Sequence, residues 1–137
     1  MTTSAGAATP TDPCPCGSGE RFGACCGPYL AGEPLPTAEA TMRSRYTAYV
    51  LGHGDHLMRT WHARTQPLLL RVDGPDRDWL GLTVLRVEGG GADDETGVVE
   101  FEARHRGATP ADDVEVMHEV SRFARRGGRW VYVDAAG

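Results

Sequence analysis

Residues 14–26 read Cys14-Pro15-Cys16-Gly17-Ser18-Gly19-Glu20-Arg21-Phe22-Gly23-Ala24-Cys25-Cys26 and contain all 4 cysteines of the chain. Thiolates this close in sequence suit a tetrahedral Zn²⁺ ion. With sulfur in every coordination position, no place remains for water or substrate, so such an ion organises a fold and does not catalyse. Adjacent Cys25 and Cys26 have Cα atoms about 3.8 Å apart, short of the roughly 4.4–6.8 Å of an unstrained disulfide. Cross-pairing of Cys14 or Cys16 with Cys25 or Cys26 under oxidation stays open. Pro15 sets the turn between the first two cysteines. Gly17 and Gly19 allow backbone conformations closed to other residues, so that amides can turn toward sulfur. Arg21 is expected to offset the excess negative charge of the thiolates, and Phe22 to pack over them. A module this small is expected to be unfolded without its metal.

Outward from this segment, 137 residues with 40% hydrophobic content fit one ordinary domain plus a small appendage. The net charge of −5 speaks against non-specific nucleic-acid binding. All 14 Lys/Arg positions are Arg, and Ile and Asn are also missing, which reads as the codon bias of a GC-rich bacterial genome. Residues 1–12 read as a disordered tail without the basic start and apolar run of a secretory signal. No stretch approaches the roughly 18 apolar residues of a membrane span. The expected compartment is a reducing cytoplasm, where clustered cysteines bind metal more readily than they form disulfides.

The knuckle is assigned to residues 13–30, with Gly32–Pro36 as a stiff connector to a second unit over 37–137. A helix is predicted to start with Thr37 as its cap and Glu39 in its first turn. Met42, Tyr46, Tyr49 and Val50 form its apolar stripe, and Gly52 ends it. A second helix is predicted near Asp55, with Leu57, Met58 and Trp61 on one side and Pro67 as its end. The period then changes. Residues 79–87, 98–105, 114–124 and 129–133 read as strands, with Gly127-Gly128 as a tight hairpin and 88–97 as a mobile acidic loop. Helices followed by an antiparallel meander predict an α+β fold, helices packed on one face of a curved sheet.

Cys-Pro-Cys-Gly-Ser-Gly, the eight residues between Cys16 and Cys25, and the closing Cys-Cys resemble the SEC-C motif, the zinc knuckle at the C-terminus of the SecA export motor. The resemblance implies one structural Zn²⁺ held by Cys14, Cys16, Cys25 and Cys26. It also implies a protein-interaction role, with the export chaperone SecB or the ribosome as candidate partners. Where such motifs often carry several lysines between the ligand pairs, this chain has Glu20 and a single Arg21. Residues 42–49, Thr60-Trp61-His62, 118–123 and 129–134 resemble the YchJ-like family, whose bacterial members carry an N-terminal SEC-C motif. That resemblance spans about Cys14 to Asp134 and implies a cone of the nuclear-transport-factor-2-like (NTF2-like) type after the knuckle. It names no reaction.

No residue is assigned a catalytic role from the sequence. The pocket candidates are Arg45 and Glu119, with His118, His62 and Asp134 also considered. On a strand His118 and Glu119 face opposite ways. Glu119 shares its face with Met117, Ser121 and Phe123, and Arg45 is its expected ion-pair partner, structural before catalytic. His62 is expected to cap helix carbonyls, and His53 and His56 to be exposed. Trp79, Trp130 and Tyr132 are read as core or pocket wall. Arg122, Arg125, Arg126 and Arg129 cluster around the last hairpin, either as a solvated turn or as a contact for RNA or an acidic partner. The functional reading is a zinc-binding interaction or adaptor protein. The alternative is a small-molecule binder or enzyme using the cone. A homodimer through the exposed sheet face is a further expectation.

Overall fold

The structure, a computed structural model, describes residues 8–70, 77–107, 111 and 113–136. A single 3-10 turn over Phe22–Ala24 leads into a short helix α1 (Cys26–Leu30), followed by α2 (Ala38–Leu51) and α3 (Gly54–Arg59). Four strands complete the chain: β1 (Arg77–Gly89), β2 (Thr96–Gly107), β3 (Glu115–Arg126) and β4 (Arg129–Ala135). They form one antiparallel sheet in the order β1-β2-β3-β4. Along β2, buried Val99, Phe101, Ala103 and His105 alternate with more exposed neighbours, so one face of the sheet is inner. Register shifts at Trp79/Gly81 and Val84/Arg86 in β1, and at Arg122/Phe123 in β3, bend the sheet around the helices.

Helix α2 forms as its sequence dictates. The Thr37 side chain accepts from the Ala40 amide at 3.0 Å, Glu39 lies in the first turn, and Gly52 closes the helix at φ 77°. Its burial goes well beyond one stripe. Ala38, Thr41, Met42, Ser44, Arg45, Tyr46, Thr47, Ala48 and Leu51 are all buried, whereas Tyr49 and Val50 are only partly so. The helix touches β1, β2 and β4 on one side and α1 and α3 on the other, and a helix enclosed on both sides loses its polar face.

The main core cluster joins Met42, Tyr46, Leu82, Val99, Phe101, Phe123 and Trp130 to Cys14, Cys16 and Cys26. A smaller cluster of Leu30, Ala48, Leu51 and Leu57 lies under the helices, and Phe22 packs against both. The cysteine segment is therefore built into the same hydrophobic core as the sheet, not appended to it.

Several expectations are corrected. Of the expected tail, residues 1–7 lie outside the described residues. Residues 8–12 form a turn, and backbone bonds from Phe22 N to Asp12 O (2.8 Å) and from Gly23 N to Pro10 O (2.9 Å) fasten it to the knuckle. The second helix stops at Arg59. Trp61 instead makes a parallel bridge to Tyr132, with Tyr132 N donating to Thr60 O at 2.7 Å and His62 N to Tyr132 O at 2.8 Å. The loop expected over 88–97 shrinks to a tied turn. Gly90 O caps the Ala38 amide at 2.9 Å, and the Arg125 guanidinium donates to Gly91 O (3.1 Å) and to Ala92 O. Gly90 has φ +75°, and a Cβ there would meet Ala38 Cβ at 2.6 Å, so this close approach of turn to helix needs glycine. No helix among the described residues is long and apolar enough to cross a membrane.

Candidate metal centre and the buried arginine

The metal segment is shaped by its own backbone. A Cys14 O to Gly17 N turn crosses Pro15, and Gly17 (φ 76°) and Gly19 (φ 88°) take the left-handed conformations expected of them. A Cys14 N to Glu20 O bond of 2.9 Å and a bridge between Pro13 and Arg21 then fold the strip back on itself. This brings Cys14 and Cys16 against Cys25 and Cys26 at the start of α1, with all four Sγ atoms within 4.8 Å of one another. Cys16 to Cys25 is 3.6 Å and Cys25 to Cys26 is 4.0 Å. Sulfur ligands at about 2.3 Å around a tetrahedral Zn²⁺ ion stand about 3.8 Å apart, so the donor set fits such an ion. The cysteines are free thiols.

Three are buried and Cys25 is partly exposed. Hydrogen bonds from Cys14 and Cys26 hold the Cys16 thiol well below the usual range, while bonding to Cys14 and Cys16, and then burial, push Cys26 far up. Burial pushes Cys25 up to about 11. Four thiolates cannot coexist here unaided, and a divalent cation is what would stabilise them, with release of protons on binding.

Helix α2 supplies the outer partners. Thr47 donates to Cys26 Sγ at 3.3 Å and lies 3.9 Å from Cys14 Sγ. Arg43 Nη1 donates to Cys16 O at 2.9 Å and reaches Cys16 Sγ at 3.9 Å, while its Nε pairs with Glu39 at 2.9 Å. Ser18 Oγ is 3.2 Å from Cys25 Sγ. The offsetting cation is thus Arg43 and not the exposed Arg21. Sequence reading missed these partners. The signal was the run Thr41, Ser44, Thr47 at helical spacing, a polar row on a helix that turns out to be buried. Thr47→Val keeps the shape and removes the hydroxyl. Metal affinity, measured by competition with a chromophoric chelator, is expected to fall roughly tenfold or more with the fold intact.

The pocket candidates are not brought together as expected. Arg45 is 4% exposed. Its Nη1 donates to Leu57 O (2.9 Å), Thr60 O (3.2 Å) and Thr60 Oγ1 (2.8 Å). Its guanidinium lies 4.7 Å from the ring centres of both Trp61 and Tyr132. It forms no ion pair with Glu119. Glu119 instead accepts from Ser121 Oγ at 2.5 Å and from Tyr132 OH at 3.4 Å, so the Tyr132 side chain links the two. Burial lowers the Arg45 pKa only to about 10, leaving it charged at neutral pH. Burial and then Glu119 raise Tyr132 to about 12.

The other candidates scatter. His118 pairs with Glu100 at 2.6 Å and Asp134 takes both ends of Arg122 (2.6 and 2.7 Å), all in exposed pairs. The His62 ring accepts from the Arg64 amide at 3.0 Å and caps no helix. Trp130 is buried, and Trp79 and Tyr132 pack at the core's edge. Of the hairpin arginines, Arg122 and Arg125 are committed to Asp134 and to the β1–β2 turn, with Arg125 also over the Trp130 ring at 5.1 Å.

His53 is exposed as expected, but His56 is 2% exposed. Arg59 Nη2 can only donate, so His56 Nδ1 accepts (3.1 Å). Ser44 Oγ gives its proton to Thr41 O (2.9 Å) and so accepts from His56 Nε2 (2.8 Å). The ring is fixed as the neutral Nε2–H tautomer. Burial, with Arg59, Arg45 and His53 adding repulsion, pulls its pKa down to about 4. Above about pH 6.5 neither folded nor unfolded chain protonates this ring. As pH falls from there toward 4, only the unfolded chain takes the proton, and up to roughly 3 kcal/mol of stability is lost. Denaturant melts of the wild type against His56→Gln between pH 7 and 5 should show this slope in the wild type alone.

Comparison with known proteins agrees with this architecture. Residues 37–135 match the family model described as YchJ, middle NTF2-like domain, and residues 11–28 match the SEC-C motif. A UPF0225 protein of Streptomyces coelicolor is 48% identical over 126 residues, covering 91% of this chain and 95% of that protein. One from Chromobacterium violaceum is 52% identical over 125 residues, covering 88% and 90%. The solution structure of a SEC-C motif containing protein from Rhodopseudomonas palustris superposes with TM-score 0.79 at 35% identity, covering 90% of this chain and 97% of that one. A crystal structure of a SEC-C motif containing protein from Psychrobacter arcticus gives 0.74 at 26% identity, covering 91% and 82%. With its SEC-C motif, its NTF2-like sheet and these relatives, the chain belongs to the YchJ family.

Proposed function

We propose that this is a zinc-dependent interaction protein of the cytoplasm, in which Cys14, Cys16, Cys25 and Cys26 hold one structural Zn²⁺ and the loop around it docks a protein partner. The observation that carries the reading is the all-sulfur donor set anchored in the core while Gly17, Gly19, Glu20, Arg21, Gly23 and Ala24 remain exposed around it. A closed ion cannot bind substrate, but it can hold a glycine-rich loop rigid for recognition. The export chaperone SecB and the ribosome are the candidate partners. Metal analysis should give one zinc per chain. Co-sedimentation with ribosomes and pull-down with purified SecB should retain the wild type on one of the two, and Arg21→Glu, an exposed change, should weaken it. Retention by neither would end the proposal for these partners.

The second reading, a cone that binds or transforms a small molecule, is favoured by one feature. Arg45 is a buried cation with no carboxylate paired to it among the described residues, in an aromatic cage that leads through Tyr132 to Glu119.

A further inference from the structure

A cleft of about 440 Å³ opens where the end of α1 and the connector meet α3 and the last hairpin. Tyr29, Glu33, His56, Arg59, Arg129 and Trp130 are among its lining residues; the cleft is separate from the metal centre and meets the Arg45 site only at Thr60. We propose that this cleft binds a small organic oxyanion, a carboxylate or phosphate group carried on a flat apolar body.

Three observations carry it. First, two guanidiniums line the cleft and neither is paired with a carboxylate among the described residues. Arg59 is held in place from behind: its Nη2 donates to His56 Nδ1 (3.1 Å) and to Leu30 O (3.4 Å), and the rest of the fork meets no acceptor among the described residues. Arg129 is exposed at the hairpin opposite. An arginine fork fixed in one plane is suited to a planar or tetrahedral oxyanion. Glu33 is the one acid among the lining residues, so the cleft is locally positive on a chain of net charge −5. That overall charge disfavours an extended polyanion and leaves a small anion.

Second, exposed Pro34 and partly exposed Tyr29 and Leu35 give the cleft an apolar side for the body of such a ligand. Third, the volume falls within the roughly 300–1,000 Å³ of sites for small organic ligands, more than an inorganic oxyanion fills, and the Tyr29 ring can lie against an apolar body. Tyr29 stands on the same short helix as Cys26, so the metal knuckle fixes one wall.

The test is an NMR titration of the full, zinc-loaded chain with phenyl phosphate, benzoate and, as the neutral control, benzyl alcohol, following the Trp130 indole signal. Saturable shifts with either anion and none with the alcohol are expected. Phenyl phosphate alone would identify a phosphate head, benzoate alone a carboxylate. Arg129→Gln should weaken binding about tenfold, the value of one charged hydrogen bond. Arg126→Gln, across the turn from Arg129 and outside the lining, should leave it unchanged. Arg59→Gln should weaken it too, with Arg129→Gln as the informative variant if Arg59→Gln fails to fold. No saturation with either anion, an equal response to benzyl alcohol, or unchanged binding in Arg129→Gln would overturn the proposal.

Discussion

Cys26→Ala is expected to unfold the whole chain, sheet included, and not merely to free its N-terminus. Cys26 is 1% exposed and belongs to the core cluster that contains Phe101, Phe123 and Trp130. The substitution leaves a void among those side chains and, at the proposed zinc site, removes one of the four ligands. A structural zinc is worth about 10–16 kcal/mol to a small domain, against a total folding stability of about 5–15 kcal/mol, so losing most of it exceeds what the rest of the core supplies. Chelation of the wild type should have the same result. The measurement is the far-ultraviolet circular dichroism of the sheet through a thermal melt. Cys25→Ala should be milder, because Cys25 is partly exposed and water can take its place. A sheet that melts at the wild-type temperature after Cys26→Ala would mean that the knuckle folds as an independent appendage.

Arg45→Ala is expected to destabilise by about 3–5 kcal/mol, near the upper end for a single substitution. It removes three donated hydrogen bonds to Leu57 and Thr60 and the cation between Trp61 and Tyr132. Arg45→Met fills the space and should lose less. Arg45→Lys should not rescue fully, because an ammonium lacks the flat face that lies between the rings. Denaturant melts read these losses. A double-mutant cycle with Glu119→Gln should give a coupling of about 0.5–1 kcal/mol, carried through their shared neighbour Tyr132 and well short of a direct buried ion pair. A coupling several times larger would restore the direct pair expected from the sequence.

That expected pair shows where sequence reading stops. Arg45 does lie on the helix, and Glu119 does share its strand face with Ser121 and Phe123, which are buried. What intervened was Tyr132, brought between them because Thr60-Trp61-His62 leaves the helix and pairs with β4. Helical spacing gave no warning of this, since Trp61 continues the apolar side of Leu57 and Met58. His56 was misread for a similar reason. Gly52 and Gly54 shortly before it suggest a turn, yet Ser44 and Arg59 enclose it.

By itself the sequence determined the clustering of the four cysteines, the capped start and glycine end of α2, the positions of the four strands and the glycine hairpin that joins the last two. Those features rest on spacing, capping and alternation, forces that act across a few residues and leave their pattern in the chain. Only the tertiary structure decided that the sulfurs lie inside the core, that Arg43 and Thr47 serve them from α2, that Arg45 sits between rings, and that a cleft forms between the knuckle and the last hairpin. Thr47 meets Cys26 across 21 positions and Arg43 meets Cys16 across 27. Such contacts follow from how helix and sheet pack together, and no local pattern in the sequence encodes them.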